Sequence, residues 1–428
     1  MNYKTIDEAN EAVIGKITEA QPFLMDVRPG KEVISELNER VILHAGPPMK
    51  WEEMTDPMKG SCVGAVLFEG WANNEEEARK MLSEDGVKFL PCHSVDAVGP
   101  MGGITTGNMP LLVVKNNANG KKAYCTMNEG IGKVLRFGAY SQEVVDRLKW
   151  MKDVLGPALS KSLAKIDGGL NINVIVAKAL TMGDEFHQRN IAASALFLKD
   201  IMPYLLKADI TPKDLEEVTI FLADTDQFFL NIMMATCKVI MDSARVIEEG
   251  SIVTALTRNG NEFGIRVSGL GEEWFTAPVN TPEGLFFTGY SQEDANPDMG
   301  DSAITETFGV GGMAMVAAPG VTRFIGAGGF EDALNISEEM REICIANNSN
   351  YAIPTWDFQG TCLGIDIRKV VETGITPVIN TGIAHKKAGI GQIGAGTVRV
   401  PLECFTKALE ALAKKYGAAI LCLPIAPG

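Results

Sequence analysis

Apolar residues recur at three- and four-residue spacing through the middle of the chain. Val144, Val145, Leu148, Met151 and Leu155 share one helical face, and the same period runs through Ile191 to Leu206 and Phe228 to Ile247. This predicts a helical stretch from about Gln142 to Glu249. Thr211-Pro212 marks a helix start within it, and Thr225 is placed to cap the helix that follows. The flanks read differently. Before the helical stretch, helices over Ile6 to Ile17, Glu32 to Leu37 and Asn73 to Leu82 mix with extended runs at Val41 to Leu43, Val87 to Leu90, Leu111 to Val114 and Ala123 to Thr126. After Gly250, Ser251 to Thr257 and Phe263 to Ser268 flank the turn Arg258-Asn259-Gly260-Asn261, and Asn-Gly between two such runs predicts a β-hairpin. Helices are expected over Glu331 to Ile345, Ile367 to Thr373 and Leu402 to Tyr416. The order predicts a multidomain α/β protein, in which two α/β parts (1–130 and 251–428) are separated by an all-α domain (131–250).

Composition narrows the function classes. The chain has 428 residues, 46% hydrophobic and 22% charged, a globular mix that excludes disorder and the need for disulfide staples. Its net charge of −15 argues against nucleic acid or an anionic membrane as a partner. The N-terminus carries Asp7, Glu8 and Glu11 where a secretory signal would be basic and then apolar. The apolar stretches near 313–321 and 418–427 fall short of the roughly 20 residues that span a bilayer. A cytoplasmic location is expected. Eight cysteines lie far apart without a C-x-x-C pair, which excludes a zinc ribbon or a dithiol redox motif. The acids are unevenly spread: Val267 to Thr322 holds eight and no Lys or Arg. Asp294, Asp298, Asp301 and Glu306 are read there as loop carboxylates, for a docking surface or a divalent metal.

Four histidines, His44, His93, His187 and His385, lie in segments dense in Gly, Pro or polar residues, where an imidazole suits acid/base work at neutral pH. His187 and His385 are the catalytic candidates. In MGDEFHQRN, Asp184 and His187 are three apart and could share a helix face, although an acidic start is also what a helix N-terminus favours. Gly389, Gly391 and Gly394 match G-x-G-x-x-G, but polar residues precede the run and a strand-like segment, Thr397 to Val400, follows it. A dinucleotide site is thereby disfavoured against a bare anion cradle at Gly391 and Gly394, with Arg399 nearby, or against glycines that fill close backbone crossings. Arg323, before the glycine loop at 326–329, and Arg258, in the hairpin turn, complete the candidate anion-binding set.

The segments ELNERVILHAGPPMKWEEMTDPMKGSCVGA, MGDEFHQRNIAASAL, TRNGNEFGIRVSGLG, WFTAPVNTPEGLFFTGYSQEDANPDMGDSAITETFG and VVETGITPVINTGIAHKKAGIGQIGAGTVR resemble the YlbE-like family of bacterial proteins, from about residue 5 to 416. The resemblance implies a subunit of a multi-subunit oxamate carbamoyltransferase in anaerobic allantoin breakdown, acting with an FdrA-like protein that resembles acyl-CoA synthetases and with a carbamate kinase. It implies transfer between oxalurate plus phosphate and oxamate plus carbamoyl phosphate. The Ser-x-Arg-Thr phosphate loop and the His-Pro-x-Gln segment of the ordinary carbamoyltransferases are absent, so another fold and another site are expected. The family supplies no site residues, and the candidates above rest on the chemistry of the residues. Two readings follow: a carbamoyl-transferring subunit for small anionic substrates, or a non-catalytic scaffold that docks the FdrA-like partner. No cofactor is expected, while a divalent metal and a homo-oligomer are compatible with the sequence.

Overall fold

Helix Phe228–Ala244 is largely apolar on every side, and all 17 of its residues are buried. Such a helix belongs at the centre of a core. It packs against strands Pro110–Asn116 and Lys122–Thr126, against strand Val253–Asn259 and helix Ile6–Thr18, and against the short helix Ile304–Phe308. One hydrophobic cluster consequently runs from Ile6 to Leu412. The computed structural model describes residues 3–324 and 328–417; the apolar stretch at 418–427 and the first residues of the glycine loop at 326–329 lie outside them.

The fold is mixed α/β. A five-stranded sheet has the order Ala97–Val98, Lys122–Thr126, Pro110–Asn116, Pro22–Pro29, Leu170–Asn171, antiparallel except for its first pair. A four-stranded antiparallel sheet runs Phe275–Pro278, Glu262–Val267, Val253–Asn259, Met299–Gly300. A three-stranded antiparallel sheet places Gln392–Arg399 between Glu283–Phe286 and Val378–Ala384. Two further pairs join Val41–His44 to Lys88–Pro91 in parallel and Cys344–Ile353 to Gln359–Ile365 antiparallel. No helix among the described residues is long and apolar enough to cross a membrane.

Local signals explain the elements that form as expected. Gly260 turns the hairpin at φ +86°, and Asn259 Oδ1 accepts the backbone N–H groups of Asn261 and Glu262 at 3.0 and 2.8 Å. Thr211 Oγ1 accepts Asp214 N–H at 3.1 Å and caps helix Pro212–Asp224. Thr225 does something else. Its hydroxyl donates back to the Phe221 carbonyl at 2.6 Å, closing the preceding helix instead of capping the next. The expected helix over Glu32 to Leu37 is a single turn, Gly30–Val33, followed by a 3₁₀ turn, Ser35–Asn38.

Candidate active site

The loop MGDEFHQRN joins helix Ile172–Thr181 to helix Ile191–Leu205. Its conformation is set by two buried carboxylates. Asp184 accepts the N–H groups of Ala192 and Ala193 at 3.2 and 2.7 Å, so it caps the second helix and does not pair with His187. Glu185 Oε1 collects the N–H groups of His187, Gln188 and Arg189 at 3.0, 2.5 and 2.6 Å, while its Oε2 accepts from the Asn380 amide at 2.9 Å. Phe186 takes φ +72° to wrap the backbone around that carboxylate.

The wrapped loop points His187 at a carboxylate 119 residues away. His187 Nδ1 lies 2.8 and 2.9 Å from the two carboxylate oxygens of Glu306, with Thr305 Oγ1 at 3.3 Å. Glu306 is fully buried and held by other donors: Gly312 N–H at 2.9 Å, Asn380 N–H at 3.1 Å and the Thr305 hydroxyl at 2.9 Å. Gly311 is required beside it, because a Cβ there would stand 2.2 Å from a Glu306 oxygen. A carboxylate so fixed orients the ring and assigns the Nδ1 proton, which leaves Nε2 as the working nitrogen.

His187 lines a cavity of about 440 Å³. The wall also includes Arg136, Arg189, Asn128, Gln188, Gln227 and Ser302. Arg136 is mostly buried and anchored by Glu129 Oε2 at 3.3 Å and the Gly130 carbonyl at 2.6 Å; burial pulls its guanidinium below the ordinary arginine value. Arg189 is 40% exposed, with Nε 3.5 Å from Asp184. The cavity thus combines an oriented imidazole with two guanidinium groups, a set suited to proton transfer on a small anionic substrate. Among the described residues, no group of three or more His, Cys, Asp or Glu is arranged to hold a metal.

The other sequence candidates lie elsewhere. Arg258 is fully buried and spends its donors inside the protein, on Asp298 Oδ2 and Oδ1 at 2.6 and 3.1 Å, the Gly300 carbonyl at 2.7 Å, Ser302 Oγ at 3.4 Å and Thr381 Oγ1 at 3.1 Å. It is a structural ion pair with no face left for a ligand. Arg399 forms a surface pair with Glu339 at 2.7 Å and donates to the Thr376 carbonyl. Arg323 is exposed on helix Pro319–Phe324, whose Gly320 and Val321 line the cavity although Arg323 itself does not. His385 is outside the cavity wall; its Nδ1 accepts Lys387 N–H at 2.9 Å and its ring meets Tyr290 edge-on. Gly391 and Gly394 serve close backbone crossings, not an anion cradle. Cβ atoms there would stand 2.6 Å from the Gly132 carbonyl and 2.4 Å from the Leu285 carbonyl. The acidic segment is also not a solvated loop throughout: Asp298, Asp301 and Glu306 are buried and answer Arg258, backbone N–H groups and His187 in turn.

His187 is legible in the sequence, whereas its partner Glu306 and the cavity residue Arg136 are not. Arg189 stood two residues from His187 in the same motif, and its proximity was the available signal.

Burial pushes the Glu185 carboxyl up to about 6, against the pull of the N–H groups donated to it. The folded value lies above the unfolded one, so stability linked to this proton is fully present below the unfolded pKa and is lost as pH rises through about 6. Glu185→Gln, which cannot ionise, should therefore gain Tm relative to wild type between about pH 5 and about pH 8. A Tm difference that stays constant over that range would contradict this.

The comparisons with known proteins agree with one another. A family described as oxamate carbamoyltransferase subunit AllG matches residues 87–302. The oxamate carbamoyltransferase subunit AllG of Escherichia coli (strain K12) is 63% identical over 416 residues, covering 97% of this chain and 99% of that protein. The uncharacterized protein YahG of the same organism is 44% identical over 412 residues, covering 96% and 87%. A crystal structure of a conserved protein of unknown function from Enterococcus faecalis V583 superposes with a TM-score of 0.94 at 46% identity, covering 96% of this chain and 98% of that one. The family match and the 63% identical relative both carry the description AllG, and neither carries the YlbE-like label.

Proposed function

Because the chain belongs to the family of oxamate carbamoyltransferase subunit AllG, we propose that it acts as a subunit of an oxamate carbamoyltransferase complex and that the His187 cavity is its site of carbamoyl transfer. The observation that carries this reading is the buried Glu306–His187 pair facing a cavity that also holds Arg136 and Arg189. Oxamate, oxalurate, phosphate and carbamoyl phosphate are all anions. Two arginines among the cavity-lining residues suit them.

In the direction that forms carbamoyl phosphate, a phosphate oxygen attacks the ureide carbonyl of oxalurate. His187 Nε2 takes the proton of the attacking phosphate, and Glu306 stabilises the imidazolium. The carbonyl oxygen becomes an oxyanion, for which Gln188 and Ser302 in the cavity lining supply neutral donors. The C–N bond then breaks, the imidazolium returns its proton to the departing nitrogen, and oxamate leaves. The carbamoyl carbon stays bound to the phosphate oxygen. The complex would work in the cytoplasm, with an FdrA-like protein among its other subunits.

The test is an assay of carbamoyl phosphate formation by the assembled complex, built with wild-type or His187→Gln chain. Loss of turnover in a complex that still assembles supports the reading. Full turnover would instead remove His187 from the chemistry and favour the scaffold reading, in which a partner carries it.

A further inference from the structure

Asp301 and Glu306 stand on one short stretch of chain, each near a different imidazole. Glu306 orients His187 at the cavity. Asp301 Oδ1 lies 3.6 Å from Nε2 of His93, which is 1% exposed. Neither ring nitrogen of His93 has a hydrogen-bond partner. An imidazole buried with both nitrogens unanswered is costly unless something else occupies the space beside it.

The surroundings of His93 are cationic. Its ring meets Trp274 edge-on at 5.5 Å, and the same indole carries the Arg266 guanidinium 4.2 Å from the ring centroid. Arg266 Nη1 is 2.9 Å from Glu272, which also pairs with Arg245. Arg245 Nε lies 3.3 Å from Asp242, and Lys238 Nζ lies 2.7 Å from that same carboxylate. The Nε atom of Arg266 is buried and makes no hydrogen bond. Burial, reinforced by Lys238, Arg266 and Arg245, holds the His93 pKa well below its ordinary value, so the ring is neutral at pH 7 and can donate or accept.

Three cations gathered inside a protein need anions, and the carboxylates that answer them differ in kind. Asp242 and Asp301 are buried and fixed, whereas Glu272 is 68% exposed on a turn after Gly271, at φ +64°. An exposed carboxylate laid across two mostly buried arginines gains little from solvent-screened pairing and is cheaply lifted away. The arginines cannot follow it.

We propose that Arg245 and Arg266, backed by Lys238 and His93, form a second anion site for a small carboxylate-bearing molecule, and that Glu272 is an internal plug occupying the place of its carboxylate. The site is separate from the His187 cavity and does not depend on the chemistry assigned there.

The test is calorimetric titration of the full chain with oxamate, and in parallel with inorganic phosphate, in an Arg136→Ala/Arg189→Ala background that disables the cavity. Glu272→Gln alters an exposed side chain, and the Tm of each variant, measured first, establishes that it is folded under the titration conditions. In that background Glu272→Gln should tighten oxamate binding tenfold or more, and adding Arg266→Gln should abolish the gain. Oxamate binding unchanged by Glu272→Gln would overturn the plug. Absence of any oxamate binding, or binding of phosphate alone, would overturn the carboxylate site.

Discussion

Replacing His187 with Gln should lower carbamoyl transfer by the assembled complex by about 10²- to 10⁴-fold, the usual worth of a positioned general acid/base. The amide can still reach Glu306, so the loop built on Glu185 should keep its shape and the complex should still form. The loss should appear mainly in kcat, because His187 contributes proton transfer while Arg136 and Arg189 bind the anions. Single-turnover kinetics of carbamoyl phosphate formation would measure it. A change of less than about threefold, far below that range, would remove His187 from the chemistry.

The largest effect on stability is expected at Arg258, behind the cavity wall that Ser302 lines. Its guanidinium and the Asp298 carboxylate are both fully sealed from solvent and meet at 2.6 Å. Breaking such a pair by removing one member leaves an unanswered buried charge and costs about 3–5 kcal/mol. Arg258→Met should therefore shift the denaturant midpoint strongly, and the double variant Arg258→Met/Asp298→Asn should recover part of the loss. Asp298 would not be left wholly bare in the single variant, because Thr381 Oγ1 and Met299 N–H still donate to it at 2.8 and 3.0 Å. A midpoint within error of wild type would mean that the pair is not closed in solution.

These two arginine and histidine cases show what was legible in the sequence. Elements governed by neighbours in the chain were readable: helices Ile367–Thr373 and Leu402–Tyr416 fall where their periodicity puts them, and the Asn259-Gly260 hairpin forms at its turn signal. Asp184 likewise follows the local rule for a helix start. What failed was partner choice. Glu306 looked like one acid in an unpaired acidic run, because nothing within reach of it in sequence is basic, and His187 reaches it only through folding. Arg258 looked available for the same reason, as Asp298 is 40 residues away. The glycines at 391 and 394 misled in a different way. A glycine-rich run has the same composition whether it cradles an anion or lets strands approach, and only the positions of the Gly132 and Leu285 carbonyls separate the two.

The segment that carries Glu306 also touches the surroundings of His93. Ser302 lies in the cavity wall and its neighbour Asp301 braces Gly46, Gly99 and Thr257 on the His93 side. Asp301 and Glu306, five residues apart, thus lie beside His93 and His187 respectively.

The central claim, that carbamoyl transfer takes place in the His187 cavity, is tested most directly by a crystal structure of the assembled complex with oxamate and phosphate bound. The account predicts an anion in the cavity, with an oxygen or nitrogen within hydrogen-bond distance of His187 Nε2 and a carboxylate or phosphate against Arg136 or Arg189. Both ligands seated on another subunit, with this cavity empty, would contradict it.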